Sequence, residues 1–402
     1  MTNRYPGGII NAAKPTIIAA VGGEGGTASG IWSMEQYAYY SKNNLWVKPL
    51  LQKSLWSWGA NGNGALGLND TTSRSSPVQV GALNTWKTID VGGLHSIAIK
   101  TDGTLWTWGR GTQGQLGLGN TTYYSSPKQV GALTDWLSIA GGYTHTIALK
   151  TNGTLWTWGL GTQGQLGLGD TTSRNSPVQV GALNTWKTIA GGYLHTIAVK
   201  TDGSLWTWGY NYYGQLGLGD TTSRNSPVQV GALTTWSTVA GAYGHTIALK
   251  TDGTLWTWGY NYHGQLGLGD TTSRNSPVQV GALTTWLTIA GAYGQTIAIK
   301  TDGTLWTWGR NNQGPLGLGD TTSRNSPVQV GALNTWKTIA GGSSHTIALK
   351  TDGTLWTWGS NAYGQLGLGN TTYYSSPKQV GALNTWKTIA SGDSHIIAIQ
   401  QY

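Results

Sequence analysis

Histidine can hold a metal ion or carry a proton, and in this chain it recurs at one fixed spacing. Six histidines share one position of a 50-residue period, and Gln295 occupies that position in the remaining copy. The six are His95, His145, His195, His245, His345 and His395. A zinc ion needs its ligands within about 2.0–2.1 Å, and side chains spread evenly around a ring of units cannot all reach one ion. Because Gln295 interrupts the series without altering its unit, we interpret the histidines as structural groups that hydrogen-bond the backbone near the glycines, and we predict no metal site.

Other side chains that commonly carry out catalysis are scarce. The chain contains no cysteine, which excludes a thiol nucleophile and a cysteine-ligated metal. Glutamate is rare, and no pair of carboxylates stands out from the repeat background. The glycine-rich run at 164–169 superficially resembles a phosphate-binding loop, but it recurs with small changes in every copy and lacks the lysine of such a loop. We therefore predict a protein with no catalytic residues and no cofactor.

The elements that must position these side chains follow from the repeat itself. The string Leu-Trp-x-Trp-Gly occurs seven times, always 50 residues apart and without insertions. Its glycines are Gly59, Gly109, Gly159, Gly209, Gly259, Gly309 and Gly359. A period near 50 residues that contains several short apolar runs is typical of a β-propeller with one blade per repeat.

One repeat predicts four strands. Residues 136–140, 144–150 and 154–159 are apolar or alternating runs, and the Thr-Asn-Gly turn at 151–153 joins the last two as a hairpin. After a long glycine-rich stretch, residues 177–181 form the fourth strand. This strand begins with proline, which suits the start or the edge of a sheet, so we expect it to be the outermost strand of its blade.

The two ends of the chain predict how the ring closes. The first repeat begins at the third strand, at residue 54, and the chain ends with a first and a second strand at 386–399. Pairing 386–399 with 54–81 completes the seventh blade and removes an open sheet edge. We therefore predict an all-β, seven-bladed propeller over residues 54–402, preceded by an arm over residues 1–53.

Two motifs of the repeat resemble a known family. Residues 139–149 are followed by Leu-Trp-Thr-Trp-Gly at 155–159, four variable residues, and Gly-Gln-Leu-Gly at 164–167. Together they resemble the repeat of the regulator of chromosome condensation family, and the resemblance covers residues 54–402. It implies a seven-bladed propeller. It also implies nucleotide exchange on a small GTPase and docking on chromatin, but the founding member's exchange activity needs a protruding wedge, and no repeat here carries an insertion that could serve as one.

The copies differ from one another in two short stretches. One is 110–113 with its equivalents after each third strand, and the other is 143–144 with its equivalents between the first and second strands. In an up-and-down blade these connections lie at the same end. They are rich in tyrosine, asparagine, glycine and serine, as adaptable binding loops are. The predicted ligand-binding face consists of Arg110, Tyr143, Tyr193, Tyr210, Tyr212, Tyr213, Tyr243, Tyr260, Tyr262, His263, Tyr293, Arg310 and Tyr363.

Two alternatives to this interpretation stay open. Loops tolerate change anywhere, so the variation could be drift, although the loops at the opposite end barely vary. The formal net charge of +9 permits binding to an acidic surface or to nucleic acid. Lysine and arginine recur at fixed positions such as Lys150 and Arg174 and are spread around the ring, which argues against a nucleic-acid function. The charge fits adhesion to an anionic cell envelope equally well.

Residues 1–53 have a different composition from the repeats. They contain Gly-Gly-Ile-Ile-Asn at 7–11 and a glycine-rich hinge at 22–30, followed by a possible short helix from Ser33 with Gln36 completing a capping box. This segment resembles the start of structural or fibre proteins of tailed bacteriophages. The resemblance implies an arm that docks on other virion proteins or on copies of this chain. A disordered leader is the alternative; we expect neither a signal peptide nor a membrane insertion.

These observations favour one function over two others. We expect a non-enzymatic phage tail, fibre or surface protein on the virion or at the extracellular surface, which binds a host cell-surface polysaccharide or protein, preferably a glycan, through the variable face. The first alternative is an intracellular interaction scaffold for a GTPase or nucleic acid. The second is a purely structural virion subunit, and a homo-oligomer is compatible with each of them.

Overall fold

The computed structural model describes residues 17–18, 27–28, 53–82 and 85–401. Residues 53–401 form seven antiparallel sheets of four strands each, which confirms the all-β, seven-bladed propeller. The described part contains no helix, and thus none that could cross a membrane. The short helix expected from Ser33 lies outside the described residues, as does the rest of the arm except for the antiparallel pair β1 (Ile17–Ile18) and β2 (Thr27–Ala28).

Six blades run from an innermost to an outermost strand in chain order, and the seventh combines the last two strands of the chain with β3 (Lys53–Gly59) and β4 (Arg74–Gln79). The innermost strands are β5 (Trp86–Val91), β9 (Trp136–Gly141), β13 (Trp186–Gly191), β17 (Trp236–Gly241), β21 (Trp286–Gly291), β25 (Trp336–Gly341) and β29 (Trp386–Ser391). The second strands are β6 (His95–Lys100), β10 (His145–Lys150), β14 (His195–Lys200), β18 (His245–Lys250), β22 (Gln295–Lys300), β26 (His345–Lys350) and β30 (His395–Gln401). The third strands are β3 (Lys53–Gly59), β7 (Leu105–Gly109), β11 (Leu155–Gly159), β15 (Leu205–Gly209), β19 (Leu255–Gly259), β23 (Leu305–Gly309) and β27 (Leu355–Gly359). The outermost strands are β4 (Arg74–Gln79), β8 (Tyr124–Gln129), β12 (Arg174–Gln179), β16 (Arg224–Gln229), β20 (Arg274–Gln279), β24 (Arg324–Gln329) and β28 (Tyr374–Gln379).

The outermost strand begins earlier than the sequence predicts. Strand β12 starts at Arg174 rather than at Pro177, and its register against β11 shifts between the pair Thr157–Val178 and the pair Gly159–Arg174. Pro177 therefore lies inside the strand, next to a bulge on its free edge. Proline is tolerated there because neither an edge nor a bulge needs its missing N–H group.

Ring closure by the two ends of the chain is confirmed. Strand β30 pairs with β29 on one side and with β3 on the other, and Trp56 lies opposite Ala398. The composite blade therefore has the same strand order as the six continuous blades. The second and third strands of every blade are bonded on both sides, so the free edges belong to the innermost strands, which line the channel, and to the short outermost strands.

The hydrophobic cores lie between neighbouring blades. One of the seven packs Ile147 and Leu155 of one blade against Trp186, Ala198 and Trp208 of the next. These residues alternate along their strands, so each sheet buries both of its faces. A blade therefore cannot complete its core alone, and the ring is stabilised as a unit.

The repeated tryptophans also fasten each blade to the preceding one. Trp208 is fully buried, and its Nε1 donates a hydrogen bond of 3.0 Å to the carbonyl oxygen of Gln165 in the preceding blade. Gly167 lies under the same indole with φ +70°, and a Cβ there would come within 2.6 Å of Trp208 Nε1. Only glycine combines this backbone conformation with so close an approach.

Recurring cations have partners within the propeller. Lys200 Nζ lies 3.6 Å from the centre of the Trp206 ring, and the equivalent lysines of the other continuous blades stack in the same way. Arg174 pairs with Asp170 at 2.7 Å. Much of the excess positive charge is therefore held in local contacts rather than gathered into one basic surface.

Candidate functional site

Both variable stretches meet on one face of the ring, here called the loop face. A Cβ at Gly244, between β17 and β18, would lie 3.1 Å from the Tyr213 ring and 3.1 Å from Tyr260 Cβ. A Cβ at Gly294, one blade further, would lie 3.2 Å from Arg310 Cβ. The connections between first and second strands therefore pack directly against the connections between third and fourth strands.

Four predicted tyrosines form an arc around the mouth of the central channel. The ring centres of Tyr143 and Tyr193 are 4.3 Å apart, those of Tyr193 and Tyr243 are 4.5 Å apart, and those of Tyr243 and Tyr293 are 4.2 Å apart. Burial, followed by the neighbouring Tyr293, raises the pKa of Tyr243 to about 12. The Tyr243 hydroxyl is therefore a neutral hydrogen-bonding group at physiological pH. We call these four residues the tyrosine arc.

Five further predicted residues form the outer tyrosine patch, defined as Tyr210, Tyr212, Tyr213, Tyr260 and Tyr262. Tyr213 joins two blades, because its ring centre lies 4.6 Å from that of Tyr260. The pairs Tyr210–Tyr212 and Tyr260–Tyr262 repeat one arrangement, with planes 11° apart and centres 6.3 and 6.4 Å apart. Tyr212 and Tyr262 are 67% and 70% exposed, so each of these two blades presents one nearly free aromatic ring to solvent.

The predicted charged residues lie beside the aromatic ones. The Arg310 guanidinium is 5.6 Å from the centre of the Tyr293 ring, and His263 packs edge-on against Tyr262 at 5.2 Å. Burial, and then the charge of Arg310, lowers the pKa of His263. Arg110 Nε donates a 2.9 Å hydrogen bond to Thr112 Oγ1.

Tyr363 does not join the other predicted residues. It is 55% exposed on the loop that follows β27, and the ring contacts that connect the tyrosine arc and the outer tyrosine patch do not extend to it. Its backbone N–H is held by Gln365 Oε1 at 2.9 Å, so the loop is ordered while the ring is free. Tyr363 thus has the exposure of a contact residue without aromatic neighbours.

Part of each variable loop is structural, which the sequence did not reveal. Asn261 is fully buried; its Nδ2 donates to the carbonyl oxygens of Asp270 and Thr272, and its Oδ1 accepts the N–H of Leu266 at 2.9 Å. Asn61, Asn211 and Asn311 form the same network. The tyrosines on either side of Asn261 are therefore carried by a rigid loop.

The structural role predicted for the histidines is confirmed, with a different partner. His145 Nε2 lies 3.0 Å from Thr196 Oγ1 of the next blade, and that hydroxyl donates its proton to the carbonyl oxygen of Gln165. The histidine is therefore the donor, and it bonds a side chain rather than the backbone. Its ring does lie against Gly142, as expected, because a Cβ there would come within 2.3 Å of Nδ1. Burial lowers the pKa of His145 to about 3.

Two copies depart from this bond in instructive ways. At His345, the threonine of the next blade is replaced by Ile396, and Ser391 Oγ of that next blade bonds His345 Nε2 at 2.8 Å instead. Ser391 stands where five other copies have glycine, so the two exchanges compensate each other. In the other, Gln295 Nε2 lies 3.5 Å from the carbonyl oxygen of His345 in the next blade. Within the described residues, no group of three or more His, Asp or Glu side chains is placed to hold a metal ion.

Two carboxylates in the central channel were missed by sequence reasoning. Asp393 lines the mouth at the repeat position that Tyr143 occupies in its own blade, and its carboxylate lies near the Tyr143 hydroxyl. Asp90 lines the channel further in, where the other six copies have alanine, and its Oδ2 accepts the Gly141 N–H at 2.9 Å. Burial raises the pKa of both groups, that of Asp90 to about 6. A comparison of the seven copies, position by position, would have singled out Asp90.

The fold and these repeat contacts agree with comparisons to known proteins. An RCC1-like domain matches residues 50–295, and the regulator of chromosome condensation (RCC1) repeat matches residues 302–349 and 352–399. The chain belongs to the RCC1-like domain family. No curated protein matches it significantly in sequence.

Solved structures of similar fold are about one fifth identical in sequence to this chain. Yeast RCC1 (Prp20), in a complex with Kap60, superposes with a TM-score of 0.79 at 20% identity, covering 87% of this chain and 89% of that one. Human WBSCR16 gives 0.78 at 22% identity, covering 87% and 98%. A second structure of Prp20p from Saccharomyces cerevisiae, described with its binding properties to Gsp1p and histones, gives 0.76 at 20%, covering 87% and 92%. At these identities the likeness establishes the fold alone.

Proposed function

We propose that this protein is a non-enzymatic binding protein that recognises a glycan of a cell envelope through the outer tyrosine patch. The observation that carries the proposal is the repeated Tyr210–Tyr212 and Tyr260–Tyr262 arrangement, with one ring per blade nearly free in solvent. Exposed aromatic faces stack on the apolar faces of sugar rings, and tyrosine adds a hydroxyl for the sugar's polar edge. Two equal positions one blade apart suit a ligand that is itself a repeating polymer.

Rigidity of the frame supports this assignment. The patch tyrosines flank asparagines that are fully buried and fully hydrogen-bonded, so little conformational entropy is lost when a ligand stacks on the rings. Two neighbouring sites on one polymer also reinforce each other, because the second contact forms at high effective concentration. Weak individual sugar contacts can thereby give useful affinity.

The cellular setting of the proposal comes from the N-terminal segment. We place the protein on a virion, in a tail or fibre, or at an extracellular surface, with residues 1–53 docking on other virion proteins or on copies of the chain. This placement rests on the resemblance of that segment to proteins of tailed bacteriophages. The purely structural virion subunit is the alternative in which the arm docks but the loop face binds no receptor.

An intracellular scaffold is the second candidate, and family membership favours it. The yeast relative is described with Gsp1p and histones as binding partners, so a protein partner on a face of the propeller is a reasonable expectation for this chain. However, the connection between the third and fourth strands has the same length in all seven blades, so none of these seven connections protrudes beyond the others as a wedge. We therefore rank this function below glycan binding.

The experiment that tests the proposal measures binding of the purified full chain to envelope polysaccharides. Tyr212→Ala and Tyr262→Ala should each weaken binding about fivefold or more, since loss of one aromatic stacking contact costs about 1 kcal/mol or more. Tyr363→Ala is the matched control, because Tyr363 is also a largely exposed tyrosine of the loop face but lies outside the patch. Undiminished binding in both patch variants would refute the site.

A second measurement separates the settings. If the protein works on a virion or cell surface, it should co-purify with particles or envelopes, and removal of residues 1–53 should release it while leaving polysaccharide binding intact. Co-purification without any binding by the loop face would favour the structural subunit. Recovery in the soluble fraction with a GTPase would favour the scaffold.

A further inference from the structure

The mouth of the central channel has an uneven lining. The tyrosine arc fills four of the seven positions around it, and Ser343, Asp393 and Gly93 fill the other three. We call these three residues the notch. The Tyr143 ring leans over Gly93, where a Cβ would come within 2.4 Å of it, and so its hydroxyl lies on the side of Asp393. The mouth encloses a cavity of about 130 Å³.

Asp393 differs from almost all the other aspartates in what surrounds it. Five aspartates pair with an arginine four residues later, five sit in Asp-Gly turns near a lysine, and Asp135 pairs with Lys150 at 3.3 Å. Among the described residues this leaves Asp90 and Asp393 without a cation, and both line the central channel. In a chain of net charge +9, two uncompensated carboxylates in one channel are conspicuous.

The surroundings of Asp393 favour a cation as its missing partner. A half-buried carboxylate beside a neutral hydroxyl is poorly compensated for its lost hydration, and an ion pair with further hydrogen bonds would compensate it. Aromatic rings beside it attract a cation further through their electron-rich faces. The Ser343 hydroxyl in the notch offers a second acceptor.

The charges at the rim limit what kind of cation can enter. Arg110 lies beside Tyr143, and Arg310 lies over Tyr293, so two positive groups flank the mouth. They do not reach Asp393, but they would repel a polycation. At about 130 Å³ the cavity is smaller than the roughly 300–1,000 Å³ of pockets that take drug-sized ligands. A single small charge on a slender apolar stem fits both limits.

We propose that the notch is a binding site for one primary ammonium group on an alkyl stem, with Asp393 as its ion-pair partner, Ser343 as a hydrogen-bond acceptor and the tyrosine arc as its aromatic wall. A primary ammonium group has three N–H donors, which match a carboxylate and a hydroxyl better than a quaternary ammonium group, which has none. The ammonium group can come from a lysine side chain of a partner or from a free amine. The site is distinct from the outer tyrosine patch, and the proposal holds whether or not that patch binds a glycan.

The test titrates the full chain with n-butylammonium and with n-butanol, its neutral counterpart, and follows binding by calorimetry or by tyrosine NMR signals. We expect saturable millimolar binding of butylammonium and none of butanol. Asp393→Asn should weaken it at least tenfold, because a hydrogen-bonded buried ion pair is lost. Asp135→Asn is the matched control on the opposite face and should bind as the unaltered chain does.

Two further arms complete the experiment. Nα-acetyl-lysine methylamide tests a peptide source of the ammonium group, and cadaverine tests a free polyamine, which the flanking arginines should disfavour. Tetramethylammonium binding more tightly than butylammonium, equal binding of butanol, or full binding by a folded Asp393→Asn variant would each overturn the proposal. Loss of amine binding in Asp393→Asn together with intact glycan binding would show that the two sites are independent, so either proposal can fail alone.

Discussion

The two faces of the propeller differ in how their loops are bonded. On the opposite face, the link between two blades is bonded to the hairpin turns of both: Trp186 N–H donates to Gly153 O of the preceding blade at 3.2 Å, and Thr201 N–H of the following blade donates to Thr185 O at 2.8 Å. These loops hardly vary among the seven copies. On the loop face, the repeat position that Tyr212 and Tyr262 share is occupied by different residue types in the other copies. Both tyrosines project into solvent.

This difference teaches where the repeat is free to change. Positions that bond to the next blade are kept because an unpaired buried polar group costs about 1–3 kcal/mol. Positions that end in solvent carry no such cost, so the copies can acquire different side chains there. The contrast also runs within one loop, since buried Asn261 lies directly between the half-buried Tyr260 and the exposed Tyr262.

The largest expected effect comes from a direct comparison of the two classes of position. Trp208→Ala should lower the free energy of unfolding by about 3–5 kcal/mol, because it empties a core between blades and removes the bond to Gln165. Tyr212→Ala should change it by less than about 0.5 kcal/mol. Urea unfolding followed by tryptophan fluorescence or circular dichroism measures both. Equal losses in the two variants would break the distinction between the faces.

The next effect tests the compensation at the composite blade. Ser391→Gly should destabilise by about 1–3 kcal/mol, because His345 Nε2 loses its partner in a buried site. The double variant Ser391→Gly/Ile396→Thr should recover most of that loss, since it restores the threonine hydroxyl that the other histidines use. The coupling energy from this double-mutant cycle is the readout. Simple additivity of the two substitutions would contradict the assigned bond.

Acid should destabilise the ring through its buried histidines. Burial lowers the pKa of His195 to about 3, below the ordinary value of 6.5. Below pH 6.5 the unfolded chain binds protons that the folded chain does not, so stability falls as the pH drops from 6.5 towards 3. Each such histidine contributes up to about 1.4 kcal/mol per pH unit to this slope. His195→Gln, which copies the natural Gln295, should therefore flatten the dependence of the urea midpoint on pH; an unchanged slope would show that His195 is protonated in the folded state.

The sequence predicted the architecture because every step depended on the period alone. The spacing of Trp158 and Trp208, the Asp-Gly turn, and the incomplete sets of strands at the two ends were sufficient to give the blade count, the closure and the common face. Pro177 misled the strand boundary, because a proline can sit at a bulge as well as at a strand start.

Details of the site were harder to predict because they depend on contacts between units. The hydroxyl that His145 bonds belongs to the next blade, so no pattern within one repeat reveals it. Asn261 lies in a stretch that varies among the copies, and variation alone does not distinguish a buried asparagine from the exposed residues beside it. Asp90 and Asp393 were overlooked because their importance depends on which residues of an innermost strand and its following loop face the channel.

The smallest expected effect concerns Asp90 and has the opposite sign from the histidine effect. Burial raises its folded pKa to about 6, above the ordinary value of 3.8, so its contribution to stability is fully present below pH 3.8 and is lost as the pH rises through 6. Asp90→Asn keeps the shape and can still accept the Gly141 N–H. It should therefore stabilise the fold at pH 7.5 by about 1 kcal/mol, a figure that allows for solvent in the channel. At pH 4 the advantage should vanish, because Asp90 is then protonated in the folded chain. Asp252→Asn is the matched control: it reproduces the natural Asn152 turn, and its carboxylate has a lowered pKa, so it should bring no gain at pH 7.5. A gain for Asp90→Asn that persists at pH 4 would mean that shape rather than buried charge sets the cost, and the channel would then be a less apolar environment for Asp393 as well.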